Sequence, residues 1–311
     1  MRISTSAIYD LGVAAITRQQ SALVKTQQQL ATGRRILTPA DDPVAAARAL
    51  ETTQADSMNT QFAANRGWAK DSLGQVDGVL SSVDNLLQSV KQLTVQAGNG
   101  SYTDSDRQSL ATELKNHLDE LVGLANSTDG TGKFLFSGYS TSTQPFTNNA
   151  GTVQYSGDEG QRAIQVSPSQ QVQISESGRE LFERVPDGGG GHQSMFKILN
   201  DLIDVLQTPV TDAAGQTALN SGLAAANGNV TQALDHILAA RATVGANLKE
   251  LDNLDSTGQD LGLQYQQTLS GLQDVDYTKA ISDLNLQQVS LQAAQQSFQK
   301  ITSLSLFDFI K

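Results

Sequence analysis

The chain has three histidines, His117, His192 and His236, and no cysteine. The histidines lack ligand spacing on any one helix, there is no HExxH pair, and Ser156-Gly157-Asp158-Glu159-Gly160 lacks the calcium-loop pattern. Asp41 and Asp42 offer two adjacent carboxylates. Directly ahead of Pro43, Asp42 reads as a helix cap: its carboxylate accepts free amides of the first turn, and proline at the first helical position forfeits no hydrogen bond. Gly188 to Gly191 is not a phosphate loop, because no lysine and hydroxyl residue follow at the required spacing. No serine stands in a G-x-S-x-G elbow, and without cysteine there are no disulfides and no thiol catalysis. The residues therefore supply no catalytic, cofactor or metal constellation, and the chain reads as a structural protein rather than an enzyme.

The informative spacing lies at the two ends. In front, Ile16, Leu23, Leu30 and Leu37 recur every seven residues; behind, Tyr277, Leu284, Leu291 and Phe298 do the same. A seven-residue repeat keeps one narrow stripe on one side of a helix and demands a partner helix there. Glutamine dominates the flanks, with Gln19, Gln20, Gln27, Gln28 and Gln29 in front and Gln287, Gln288, Gln292, Gln295, Gln296 and Gln299 behind. Such stripes bury too little apolar surface to offset the entropy of ordering an isolated helix. The two ends are expected to be completed by each other and by neighbouring copies. Their eight stripe residues are the candidate assembly interface, with Gly33, Asp42 and Pro43 as the cap and loop that end one helix and begin the next.

Composition agrees with long helices. Of 311 residues, 5% are aromatic and 17% charged, while leucine, alanine, glutamine and serine dominate. A formal charge of -11 argues against a nucleic-acid partner. Residues 1–48 hold six basic and three acidic side chains, a net +3, and no acid lies between Leu11 and Ala40. No apolar run approaches the length of a membrane span, so no membrane partner is expected. The first residues lack the apolar stretch of a secretory signal, so export is expected to proceed without a cleaved one.

Taken in order, residues 6–32 read as a first helix stopped by Thr32-Gly33. From Pro43 a long helix runs to about Ala97, spanning about 80 Å at roughly 1.5 Å per residue. Its second half carries Val79, Val83, Leu86, Val90, Leu93 and Ala97. Thr103 to Asp106 forms a capping box for a helix with Leu110, Leu114, Leu118 and Leu121. Alternation at Val153 and Tyr155, at Ile164 and Val166, and at Val172 and Ile174 predicts short strands. Gly188 to Gly191 reads as a flexible exit from that region. Helical period resumes at Met195, and again at Val230 to Leu251, where Arg241 interrupts an apolar seam and fixes its register. These central stripes read as intramolecular core. The fold expected is mainly α, with long antiparallel helical rods, paired N- and C-terminal helices and a small inserted β-rich domain. The divisions are 1–42 with 277–311 for assembly, 43–132 with 192–276 as rods, and 133–191 as the outer insert.

Met1-Arg2-Ile3-Ser4-Thr5, Leu30-Ala31-Thr32-Gly33-Arg34-Arg35-Ile36 and Asp41-Asp42-Pro43-Val44-Ala45-Ala46-Ala47 resemble the N-terminal region of the bacterial flagellin superfamily. Phe134-Leu135-Phe136-Ser137-Gly138-Tyr139 and the ending from Leu284 to Phe307 are similar to its hook–filament junction branch. The resemblance implies paired terminal helices around a central channel and export through the flagellar type III route with a chaperone on the C-terminal region. It implies a ring of copies docked on the first hook-associated protein and offering a surface to flagellin. The near absence of charge in 281–299 suggests that the glutamines line the channel. A flagellin filament subunit is the alternative within that superfamily. A secreted adhesin-like module, with 133–191 as its head and Tyr139 and Tyr155 as exposed aromatics, is the competing class.

Overall fold

The computed structural model describes residues 5–149 and 152–304. Among these residues, six α-helices, three short antiparallel hairpins and one π-helical turn follow one another in the order α1 (Thr5–Thr32), α2 (Pro43–Ala97), α3 (Asp104–Ala125), β1 (Phe146–Asn149), β2 (Thr152–Tyr155), β3 (Ala163–Ser167), β4 (Gln170–Gln173), the π turn (Arg179–Glu183), β5 (Val185–Pro186), β6 (His192–Gln193), α4 (Met195–Gln207), α5 (Ala213–Gln273) and α6 (Tyr277–Leu304). Two helical boundaries follow the punctuation expected. Gly33 takes a left-handed φ of 70° and stops α1. Thr103 accepts the Asp106 amide at 3.3 Å while the Asp106 carboxylate accepts the Thr103 amide at 2.9 Å, a reciprocal cap that opens α3.

The chain divides into two compact units, residues 60–258 and residues 1–59 with 259–311. In the first, apolar residues alternate three and four apart on α2, as Leu73, Val76, Leu80, Val83, Leu87 and Val90, all buried. Leu110, Leu114, Leu118 and Leu121 of α3, Leu199 and Leu202 of α4, and Val230, Ile237 and Val244 of α5 complete one continuous core. The central stripes are thus intramolecular, as their richness implies. Arg241 of α5 reaches Asp77 of α2 at 3.0 Å and Asp84 at 3.7 Å, and Arg66 reaches Asp255 at 2.5 Å, so the two helices run antiparallel with polar pins in their seam. Burial pushes the Asp255 carboxyl up, but Arg66 and Lys70 together outweigh it and hold the group below its ordinary range.

The β region differs from a single sheet. Its six strands form three separate two-stranded hairpins. Phe136, Phe146 and Phe182 are fully buried and join the helical core, with rings of Phe146 and Phe182 5.4 Å apart in an edge-on contact. Asp158 gathers the loops, accepting the Tyr139 and Gly160 amides at 2.8 Å and the Ser140 amide at 2.9 Å. Gly188 to Gly191 is not a flexible exit. It is a closed turn between β5 and β6, tied by Asp187, which accepts the amides of Gly189 at 2.9 Å and Gly191 at 2.8 Å. Glycines alone suggest freedom, but the carboxylate one residue earlier converts them into donors. Tyr139 is 67% exposed, whereas Tyr155 packs on Phe146 at 5.1 Å.

Candidate assembly site

In the other unit, α1 and α6 pair along their length. Among the covered positions, Gly12, Ile16, Gln19, Leu23, Thr26 and Leu30 of α1 with Gly33 just past it form one series, and Ala280, Leu284, Gln287, Leu291, Ala294 and Phe298 of α6 another; Ala22, Gln29 and Ser290 are partly covered beside them. Both series alternate by four and three, the spacing of a complete heptad seam. The sequence reading captured only half of each seam. The other half consists of glycine, alanine, threonine and glutamine, which carry no hydropathy signal.

The register explains the composition. The Phe298 ring lies against Gly12, where an added Cβ would stand 2.5 Å from a ring carbon, and Tyr9 packs on the same ring at 5.0 Å. At the opposite end a Cβ on Gly33 would stand 3.0 Å from the Tyr277 hydroxyl. Two antiparallel helices fixed at these points set Ile16 level with Ala294, Gln19 with Leu291, Leu23 with Gln287, Thr26 with Leu284 and Leu30 with Ala280. Each large side chain faces a small or polar one. Thr26 and Ala280 are buried. Ile16, Leu23, Leu30, Leu284, Leu291 and Phe298 are only half-buried. Tyr277 is 54% exposed. The Gln287 Oε1 is buried without a hydrogen-bond partner among the described residues. Gln20, Gln27, Gln28, Gln288, Gln292, Gln295, Gln296 and Gln299 face outward.

Outside the seam, Leu11 is 64% exposed, Leu286 66% and Val289 63%; Val24 and Ile301 are also exposed. A two-helix pair has no inner layer in which to hide a second stripe, so these residues remain available to other chains.

Leu37 does not extend the front stripe. Gly33 has already ended α1, and Leu37 belongs to the elbow that leads into α2. That elbow is tightly tied. Asp41 accepts the amides of Leu37 at 3.0 Å and Thr38 at 2.8 Å and pairs with Lys25 at 2.6 Å. The Lys25 hydrogen bond, with those amides, holds the Asp41 carboxyl at about 2. Asp42 accepts the Ala45 amide at 3.0 Å, capping the helix that Pro43 begins, and its pKa is lowered chiefly by that bond. The Arg35 guanidinium donates to Asp42 at 3.2 Å and to the Leu272 carbonyl at 2.8 Å, while its amide donates to the Gln273 carbonyl at 2.6 Å. The Val275 amide donates to the Gly33 carbonyl at 2.9 Å. Gly33, Asp42 and Pro43 therefore form one joint with the break at residues 274–276. The apolar residues beyond Leu304 lie outside the described residues.

His117 meets Glu120 at 3.2 Å and His236 meets the Glu180 carbonyl at 3.0 Å, and no cluster of metal-ligating side chains occurs among the described residues. No described helix is long and apolar enough to cross a membrane.

Residues 3–141 match the family model of the bacterial flagellin N-terminal helical region. Flagellar hook-associated protein 3 of Escherichia coli strain K12 is 36% identical, with 100% of each chain covered. Flagellin of Bacillus subtilis strain 168 is 28% identical over 90% of this chain and 89% of its own. Among solved structures, flagellar hook-associated protein 3 of Legionella pneumophila superposes with a TM-score of 0.68 at 21% identity, covering 71% of this chain and 98% of that one.

Proposed function

From the premise that the chain belongs to the flagellar hook-associated protein 3 family, we propose how its ends serve the hook–filament junction of the bacterial flagellum. The chain is a structural subunit of the flagellum and not an enzyme. Residues 1–42 with 277–311 are the assembly part, 43–132 with 192–276 the rods, and 133–191 the outward-facing insert. Copies form a ring, seated on the first hook-associated protein on one side and presenting a surface to flagellin on the other. The chain reaches that place through the flagellar export route, with a chaperone on its C-terminal region.

The observation that carries this reading is the half-filled α1–α6 seam. It pairs large residues with glycine, alanine, threonine and glutamine and leaves Leu11, Leu286 and Val289 exposed. A pair so sparingly packed is easily opened for export, and gains its missing apolar cover from neighbours, so that folding of the ends and assembly are coupled. The outward glutamines offer a neutral, wettable channel wall.

The test is a deletion strain. Loss of the gene is expected to leave hooks intact while flagellin is secreted as monomer, and the wild-type chain restores filaments. Normal filaments in the deletion strain would overturn the junction role.

A further inference from the structure

Beside the elbow is an open groove of about 330 Å³. Ile36, Leu37 and Pro39 form one side, Ala46 and Leu50 of α2 the other, and Arg34 stands at the rim. Leu50 is 70% exposed, although it sits in the first turns of a long helix flanked by buried Ala45 and Ala49. Lys25 and Arg35 are already engaged by Asp41 and Asp42. The Arg34 guanidinium makes no ion pair among the described residues, although its backbone bridges that of Asp274. The site thus has apolar walls interrupted by Thr38, Thr53 and Gln273, with a positive charge at its rim that is unpaired among the described residues.

One segment of the chain has the complementary chemistry. Leu306, Phe307, Phe309 and Ile310 surround a single acid, Asp308. It cannot reach the groove of its own chain. Gln273, at the end of α5, lines the groove, and α6 leads away from there for 28 residues, about 40 Å at 1.5 Å per residue. Phe307 lies only three residues past Leu304 and Ile310 only six, which even fully extended return about 20 Å.

We propose that the groove formed by Ile36, Leu37, Pro39, Ala46 and Leu50 receives the Leu306–Ile310 segment of a second copy, with Asp308 paired to Arg34. Such a contact is head-to-tail: groove and tail are different surfaces, so each copy both gives and receives, and the contact propagates around a ring or along a helix rather than closing as a pair. It rests on the reading that the ends assemble, and it assigns one of their contacts.

The absence of native cysteine makes the contact directly measurable. A Leu50→Cys chain and a Phe307→Cys chain, carrying different tags, are mixed at assembling concentration and oxidised. The expected product is a mixed disulfide between the two tags. An intrachain bond in dilute double-variant protein, or no mixed product, would overturn the proposal. In parallel, a labelled peptide of residues 303–311 is titrated onto the full chain. Binding is expected to weaken at least tenfold with Leu50→Asp, whose exposed position spares the fold, as circular dichroism would verify. Asp308→Lys in the peptide is expected to weaken it similarly and to be rescued by Arg34→Asp in the protein. Binding indifferent to both changes would place the tail elsewhere. Failure here leaves the deletion phenotype untouched, so the junction role and this contact stand or fall separately.

Discussion

The α2 seam in residues 60–258 and the α1–α6 seam share one period and differ in filling. On α2, Leu73, Val76, Leu80, Val83, Leu87 and Val90 occupy every seam position and are nearly inaccessible. On α1 and at its stop, alternate positions are Gly12, Gln19, Thr26 and Gly33. A buried leucine contributes roughly 1.5–3 kcal/mol, whereas a glycine or a glutamine at the same position contributes little or opposes burial. Equal periodicity thus specifies equal geometry but not equal stability. One seam is self-sufficient and the other is left for partners to complete.

The sharpest way to break this comparison is to damage each seam in the same way. Leu114→Ala in the core is expected to lower unfolding free energy by about 2–5 kcal/mol, since the cavity adds to the lost burial, and to appear as a reduced Tm. Leu23→Asp or Leu291→Asp is expected to leave the main thermal transition nearly unchanged while abolishing motility and junction assembly. A large drop in the main transition with Leu23→Asp would show that the two seams are not energetically separate.

A smaller effect tests the reverse. Gln287→Leu removes an oxygen buried without a partner and puts an apolar side chain level with Leu23. Stabilisation of about 1–2 kcal/mol is expected, read as slower amide exchange in α1 and α6 with no change in the core helices. Unchanged exchange would mean that the oxygen carries no penalty.

The smallest effect concerns the elbow. The Asp41 carboxyl is held at about 2 against an ordinary value of 3.8. A depressed carboxylate stabilises the folded form above its unfolded pKa and loses that contribution as pH falls toward the folded one. Acidification from pH 4 to 2 is therefore expected to loosen the elbow, seen as faster exchange at Leu37 and Thr38, and Asp41→Asn is expected to remove the pH dependence. Equal acid sensitivity in the variant would assign it to other groups.

The long helices, the capping box at Thr103 and the cap at Asp42 were legible because hydropathy period and capping chemistry are local. The terminal stripe was legible only at its large residues. Gly12, Thr26 and Ala280 belong to the seam because Phe298, Leu284 and Leu30 stand level with them, and that is a long-range fact. The turn at Gly188 to Gly191 was misread for a related reason: its order comes from a carboxylate that glycine content does not reveal.

The sequence by itself determined that this protein carries no catalytic constellation, that it is built of long helices, and that its two ends are matched. Each follows from residue type and spacing, which act locally. Only the tertiary structure decided the register of α1 on α6, the joint between Gly33–Asp42 and residues 274–276, and the absorption of the hairpins into the helical core. Those depend on which side chains meet across long stretches of chain, more than two hundred residues for the first two, where steric fit and amide partners, not local preference, select the arrangement.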